Sequence, residues 1–283
     1  MPNTKEELIE ELITLAFKED IGDGDHTTLC SIPENAMGKA HLLIKEEGVI
    51  AGIDIAERIF RKFDSSLKMN PIRKDGDWVK PGEDAFFVEG KVRSLLQTER
   101  LVLNVMQRMS GVATTTRHYV DALKGTKTRV LDTRKTTPGM RILEKEAVKI
   151  GGGYNHRIGL FDMILLKDNH VDFCGGIRNA ILSAKKYLRE KSMNLKIEIE
   201  VRNLQELDEA LQTGEIDRIM LDNFSVEQTK EAVQIIKGRY ETESSGGITF
   251  NTLREYAECG VDYISVGALT HSIKSLDMSL KAM

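Results

Sequence analysis

Between Val130 and Val171 the chain sets Arg134, Lys135, Arg141, Lys145, Lys149, His156, Arg157 and Lys167 around the run Gly151-Gly152-Gly153. Two short apolar stretches there, Arg129 to Leu131 and Met163 to Leu166, read as buried strands. Each stops at charge: Asp132-Thr133-Arg134-Lys135 follows the first and Lys167-Asp168-Asn169-His170 the second. Cations at strand ends are placed to hold an anionic small molecule. Lys145 and Lys149 instead fit an exposed helix face. A planar Arg fork suits carboxylates, whereas Lys acts as a compact charge. A ligand with two carboxylates fits this set, and so does a phosphorylated sugar carrying a diphosphate.

Later strand ends add two other chemistries. Glu200 and Asp222 could share Mg²⁺ with a pyrophosphate, since that ion commonly takes one or two carboxylates plus phosphate oxygens. Either could equally act as a general base or stabilise a developing cation. A bland alternative stays open: Glu198 and Glu200 alternate with Ile197, Ile199 and Val201, as on an exposed acidic edge. The segments Ser244-Ser245-Gly246-Gly247 and Gly267-Ala268 offer backbone N–H groups and close approach. After the last two strands of a barrel such groups hold phosphate; ordinary turn glycines are the alternative.

The elements that must position these residues follow from periodicity. Thr4 with Glu7 makes a capping box for a first helix to about Lys18, with Leu8, Leu12 and Leu15 inward. A polar turn, 19–28, contains His26, which reads as solvated. Residues 39–51 read as strands, 54–63 as a helix with Ile55, Ile59, Phe60 and Phe63 on one side, and 71–93 as short strands between Asp75-Gly76 and Pro81-Gly82 turns. Thr98 to Met109 reads as a helix broken at Gly111. Beyond it, strand-like runs at 129–132, 163–166, 196–201, 217–221, 239–243 and 263–266 alternate with helices, for example 203–212 (Leu204, Leu207, Leu211) and 225–237 (Val226, Val233, Ile236). Such alternation requires crossovers and therefore a parallel sheet. The region is shorter than the roughly 250 residues of an eight-fold barrel, so a reduced or open α/β barrel is expected. The division expected is 1–112 and 113–283, with a C-terminal helix that could pack back on the first part.

Composition excludes several classes. A net charge of −4 in 283 residues leaves no electrostatic footprint for nucleic acid. No apolar run approaches the roughly 18 residues of a membrane span. The leading segment is acidic and amphipathic, unlike a secretory signal. Cys30, Cys174 and Cys259 are widely spaced, which fits small buried residues in a reducing cytoplasm rather than a disulfide or zinc framework.

Taken together, the motifs resemble a known family. EDIGDGDHTT (19–28), TERLVLNVMQRMSGVAT (98–114), DTRKTTPGMR (132–141), EAVKIGGGYNHRIGLFDMILLKDNH (146–170), EIEV (198–201), MLDNFS (220–225), ESSGGI (243–248) and VGALTHS (266–272) are similar to those of the quinolinate phosphoribosyltransferases, the decarboxylating nicotinate-nucleotide pyrophosphorylases. One departure is Asp23, where the family more often has Pro. The resemblance implies transfer of phosphoribosyl from 5-phosphoribosyl-1-diphosphate to quinolinate, yielding nicotinate mononucleotide, diphosphate and CO₂ with Mg²⁺, in NAD biosynthesis. It implies an N-terminal α/β sandwich, an open α/β barrel, and a homodimer that could assemble further. Carried over by motif, the quinolinate-binding cations would be Arg134, His156, Arg157 and Lys167 beside Thr133, with Arg100 arriving from the partner subunit. Phosphoribosyl and metal contacts, and the catalytic roles, would fall on Lys135, Glu200 and Asp222. The phosphate loops would be Ser245, Gly246, Gly247, Gly267 and Ala268. Two other readings stay open. A paralogous group associated with molybdenum transport shares the fold, but the complete cation set favours quinolinate. A non-catalytic anion-binding barrel need not keep Glu200, Asp222 and the cations together.

Overall fold

The computed structural model describes residues 4–283; the first three residues of the leading acidic segment lie outside them. In chain order the elements are α1 (Lys5–Ile21), α2 (His26–Ser31), β1 (Met37–Ile44), β2 (Gly48–Val49), α3 (Ile53–Phe63), β3 (Lys68–Pro71), β4 (Trp78–Val79), β5 (Asp84–Lys91) and α4 (Val92–Ala122). There follow β6 (Arg129–Leu131), α5 (Arg141–Ile150), β7 (Ile164–Leu166), α6 (Asp168–Cys174), α7 (Ile177–Lys191), β8 (Ile197–Val201), α8 (Leu204–Thr213) and β9 (Arg218–Asp222). The chain ends with α9 (Val226–Ile236), β10 (Glu241–Ser245), α10 (Leu253–Glu258), β11 (Tyr263–Ser265), α11 (Ala268–His271) and β12 (Met278–Ala282).

Contacts group the chain into two compact units. One comprises the residues up to Arg117 with Thr136–Gly152 and Ala268–Met283; the other comprises His118–Lys135 and Gly153–Gly267. The expected division at 112/113 falls inside α4.

The first unit is built on an antiparallel sheet in the order β12-β1-β5-β3. Burial along β1 alternates, with Ala40, Leu42 and Ile44 inward, as expected of a sheet with one covered face. The terminal segment is strand β12 rather than a helix, because alternating Met278 and Leu280 pair it onto β1 in the register Leu42↔Leu280. Gly111 does not break α4. A Cβ there would meet the Lys274 carbonyl oxygen at 2.3 Å, so this glycine permits close backbone approach within an unbroken helix. The capping box of Thr4 and Glu7 starts α1. Its buried face is Ile9 and Ile13, while Leu8 and Leu15 are exposed. His26 begins α2 behind the Asp25 cap and is exposed. Lys149 is exposed and pairs with Glu146, but Lys145 is buried in α5, contrary to the expected solvated face.

The second unit is a parallel sheet of six strands in the order β6-β11-β10-β9-β8-β7. Helices α6 to α10 form its crossovers. Its end strands β6 and β7 are not paired to each other, so the barrel is open. Burial is continuous along β8, from Ile197 to Val201. That rules out an exposed acidic edge for Glu198 and Glu200: the strand is internal, and its two carboxylates lie inside the sheet's covered surface.

Candidate active site

At the C-terminal ends of the parallel strands a cavity of about 350 Å³ is lined by Thr133, Arg134, Lys135, His156, Arg157, Lys167 and Ser245, all anticipated, and by Leu165, Met220, Glu243 and Ser265, which were not. A larger hollow of about 680 Å³ opens at the opposite strand ends, beside Arg129, Asp217 and Glu241. Chemistry in parallel barrels sits at the C-terminal face, so the smaller cavity is the candidate.

A buried carboxylate builds the cation wall. Asp132, at the end of β6, accepts the His156 backbone N–H at 2.9 Å and the Asn155 side-chain amide at 2.5 Å. These bonds fasten the segment after Gly153 to the end of β6 and bring His156 and Arg157 beside Arg134. Asp162 closes the segment by accepting the N–H groups of Ile158 at 2.7 Å and Gly159 at 2.9 Å. Thr133 Oγ1 accepts the Lys135 N–H at 3.1 Å, shaping the turn that presents Arg134. Burial, and then the Arg134 charge beside it, lower the Arg157 pKa. Cations so crowded are stabilised by an anion placed between them.

Lys167 Nζ meets Glu200 Oε2 at 2.7 Å, and Glu200 Oε1 accepts the Asp168 N–H at 3.1 Å. The exposed lysine is thus held over a buried acid. Burial, and then the Glu200 charge, raise the pKa of Asp222, which also accepts from Asn223 Nδ2 at 2.7 Å. Glu200 and Asp222 are hard-oxygen donors suited to Mg²⁺ shared with phosphate.

Gly246 has φ 92°, and a Cβ on it would strike Asn223 Oδ1 at 2.2 Å, whereas Gly247, at φ 63°, faces open space. Asn223 itself sits at φ 55°. These left-handed residues turn the chain sharply after β9 and β10, so a glycine is required where the two turns meet. Gly267 follows β11, Ala268 opens α11 in the other unit, and Arg100 is exposed on α4, also in the other unit.

Beneath the cavity lies a cluster that sequence reasoning missed. Glu198 and Glu243 are fully buried, and Glu243 lies mid-strand because β10 begins at Glu241, two residues later than periodicity indicates. His156 Nε2 is 3.0 Å from Glu198 Oε2 and 3.5 Å from Glu243 Oε2. Arg218 Nη1 lies 3.1 Å from Glu243 Oε2 and 3.9 Å from Glu198 Oε2, with its guanidinium over the Tyr263 ring at 4.2 Å. Burial pushes Glu243 up to about 8 and Glu198 up to about 7. The pair therefore keeps a proton at neutral pH. The one available signal was the acid alternation of β8.

Sequence models of quinolinate phosphoribosyl transferase match the chain over residues 25–110 for the N-terminal domain and 112–281 for the C-terminal domain. The chloroplastic carboxylating nicotinate-nucleotide pyrophosphorylase of Oryza sativa subsp. japonica is 45% identical, over 96% of this chain and 77% of the rice protein. The probable carboxylating nicotinate-nucleotide pyrophosphorylase of Bacillus subtilis (strain 168) is 42% identical over 96% of this chain and 92% of its own length. Among solved structures, NadC from Streptococcus pyogenes superposes with a TM-score of 0.92 at 40% identity, covering 100% of this chain and 99% of that one. The nicotinate-nucleotide pyrophosphorylase of Francisella tularensis gives 0.90 at 39% identity, covering 99% and 98%. On this agreement in sequence, fold and both domains, the chain belongs to the quinolinate phosphoribosyltransferase family.

Proposed function

We propose that the barrel cavity transfers the phosphoribosyl group of 5-phosphoribosyl-1-diphosphate to quinolinate, with loss of CO₂, to give nicotinate mononucleotide for NAD biosynthesis. The observation that carries this reading is the crowding of Arg134, Arg157 and Lys167 around one cavity, with the buried acid Glu200 behind them. The two carboxylates of quinolinate seat among these cations. They fix the pyridine nitrogen toward the ribose C1, and this orientation is itself a large catalytic term.

Lys135 contacts the phosphoribosyl donor. Backbone N–H groups at Ser245, Gly246 and Gly247, with Gly267 and Ala268, receive its 5-phosphate. As the C1–diphosphate bond lengthens, positive charge grows on the ribose, and the carboxylates of Glu200 and Asp222 stabilise it. Both residues also fit Mg²⁺, which when bound supplies charge to the departing diphosphate. The pyridine nitrogen then bonds to C1. The C2 carboxylate leaves as CO₂, its electron pair stabilised by the N-alkylated ring, and a proton takes its place.

The working unit in this proposal is a homodimer in which Arg100 of each subunit completes the other's cation set. No helix among the described residues is long and apolar enough to cross a membrane. The three cysteines are free thiols, Cys30 exposed and Cys174 and Cys259 half-buried rather than buried as expected; free thiols suit the cytoplasmic location proposed.

The test is turnover. The purified chain, supplied with quinolinate, phosphoribosyl diphosphate and Mg²⁺, should form nicotinate mononucleotide with stoichiometric CO₂. Nicotinate should be a poor substrate, because it leaves part of the cation set uncompensated. Equal turnover of nicotinate overturns the quinolinate reading.

A further inference from the structure

The geometry around His156 assigns its ring a state that differs from a simple cation. Nδ1 lies 2.7 Å from the Arg157 backbone nitrogen and accepts its N–H. A proton on Nδ1 would set two donors against each other at that distance. The ring's proton therefore sits on Nε2, which lies 3.0 Å from Glu198 Oε2 and 3.5 Å from Glu243 Oε2. The tautomer of a histidine is assigned from its hydrogen-bond network in this way. The residue's own backbone N–H is fixed by Asp132, so ring and backbone are held from opposite sides.

We propose that Glu198 and Glu243 are positioning residues that hold His156 as a neutral Nε2–H imidazole in the cavity wall, and through it hold the Arg157 backbone in place. The inference rests on the cavity being the quinolinate site. It changes how the dicarboxylate is read there: the charge is met by Arg134, Arg157 and Lys167, while the imidazole contributes a rigid, uncharged face. His156, Glu198 and Glu243 also present a set of donor atoms lying within 4.8 Å of one another, as a metal site would. Arg218 already supplies the positive charge there, 3.1 Å from Glu243. The cluster is thus a carboxylate pair with a guanidinium counter-ion and a histidine donor. Such outer partners orient the residue that faces the ligand.

The experiment has two arms, both on the full chain. In the first, ¹⁵N-histidine-labelled protein is read by imidazole nitrogen shifts at neutral pH, with His156 assigned by loss of its signals in His156→Gln. The expected signature is one protonated nitrogen, Nε2, and one bare nitrogen, Nδ1. A doubly protonated ring, or a proton on Nδ1, overturns the proposal, as does a stoichiometric metal ion in the purified protein that is lost in His156→Gln. In the second, Glu243→Leu should raise KM for quinolinate on the order of ten- to a hundred-fold through misplacement of Arg157. KM for phosphoribosyl diphosphate should stay within about threefold, a split that general damage would not give. Glu243→Gln, which retains an acceptor oxygen, should lose less than Glu243→Leu. An unchanged quinolinate KM in a folded Glu243→Leu overturns the proposal. If that variant does not fold, the nitrogen shifts of the unmodified chain decide. Absence of quinolinate turnover in the unmodified chain would defeat the functional reading and leave the tautomer result standing.

Discussion

Along β1 the buried positions are Ala40, Leu42 and Ile44, every second residue; along β8 all five are buried, and Glu198 and Glu200 are two of them. The antiparallel sheet of the first unit has one apolar face and one partly wet face. The parallel sheet of the second is covered on both sides, and one of its sides carries acids. Burying a carboxylate without a partner costs several kcal/mol. The barrel offsets that cost locally: Lys167 for Glu200, and Arg218 for both Glu243 and Glu198. A chain selected only for stability would fill those positions with apolar groups. The difference teaches where to look: the first sheet is scaffold, and the charged interior of the second marks the chemistry.

The comparison predicts that the two regions fail differently. The largest effect should come from the first sheet. Phe86 is fully buried on β5 and packs edge-on against Phe60 with ring centroids 5.9 Å apart. Phe86→Ala should cost roughly 3–5 kcal/mol of stability, the usual range for emptying such a site. The surviving folded protein should keep its kcat/KM. A urea titration paired with assays corrected for the folded fraction checks both halves. Loss of specific activity beyond the unfolded fraction would show that this sheet does more than support.

The barrel should fail the other way. Arg134→Ala should lower kcat/KM for quinolinate by about 2–5 kcal/mol of transition-state stabilisation, as when one partner of a desolvated ion pair is removed. Its melting temperature should barely move, since Arg134 is exposed in the ligand-free chain. Lys167→Ala should match it in activity but also lose stability, because Glu200 is left buried without its cation. Wild-type kinetics in both variants would place the substrate elsewhere.

What the sequence could show follows the same contrast. The strand-end cations were legible because each short apolar run stops abruptly at charge, as at Leu131 before Asp132 and Leu166 before Lys167. The parallel sheet was legible from the alternation of strand and helix patterns. Features fixed by distant partners were not. Gly111 looks like a break until Lys274 is placed against it. In α1 more than one apolar stripe is available, and packing selects Ile9 and Ile13. Lys145 looks solvated by type and is buried by tertiary packing. Glu243 was placed at a strand end by a two-residue slip, which hid that its side chain joins Glu198 under His156.

The buried acids also give stability a pH dependence. Burial raises Glu243 from the ordinary 4.5 to about 8. The unfolded chain releases this proton near the ordinary value, while the native state keeps it until about 8. Between those limits the unfolded state binds fewer protons, so stability falls as pH rises, by at most about 1.4 kcal/mol per pH unit for one group. Below the ordinary value both states are protonated and the contribution is fully present. Glu243→Gln cannot titrate, so subtracting its stability curve from that of the unmodified chain should leave this decline. Parallel curves for the two proteins would mean that the carboxyl ionises alike in both states.

The smallest effect should come from the surface of the first unit. Thr4 Oγ1 accepts the Glu7 N–H at 3.2 Å, and the Glu7 carboxylate accepts the Thr4 N–H at 2.6 Å. Both bonds are exposed, so each competes with water. Their value lies in satisfying helix donors that no preceding turn can reach. Thr4→Ala should therefore cost about 1 kcal/mol, and Thr4→Ser much less, since serine caps as well as threonine. Neither should alter kcat or either KM, because α1 packs through Ile9 and Ile13 and carries no group assigned to the cavity. Denaturant midpoints for the three proteins, measured beside their kinetics, give the reading. A change in KM with Thr4→Ala would tie the N-terminal helix to the site and erase the contrast between scaffold and chemistry on which the other variants depend.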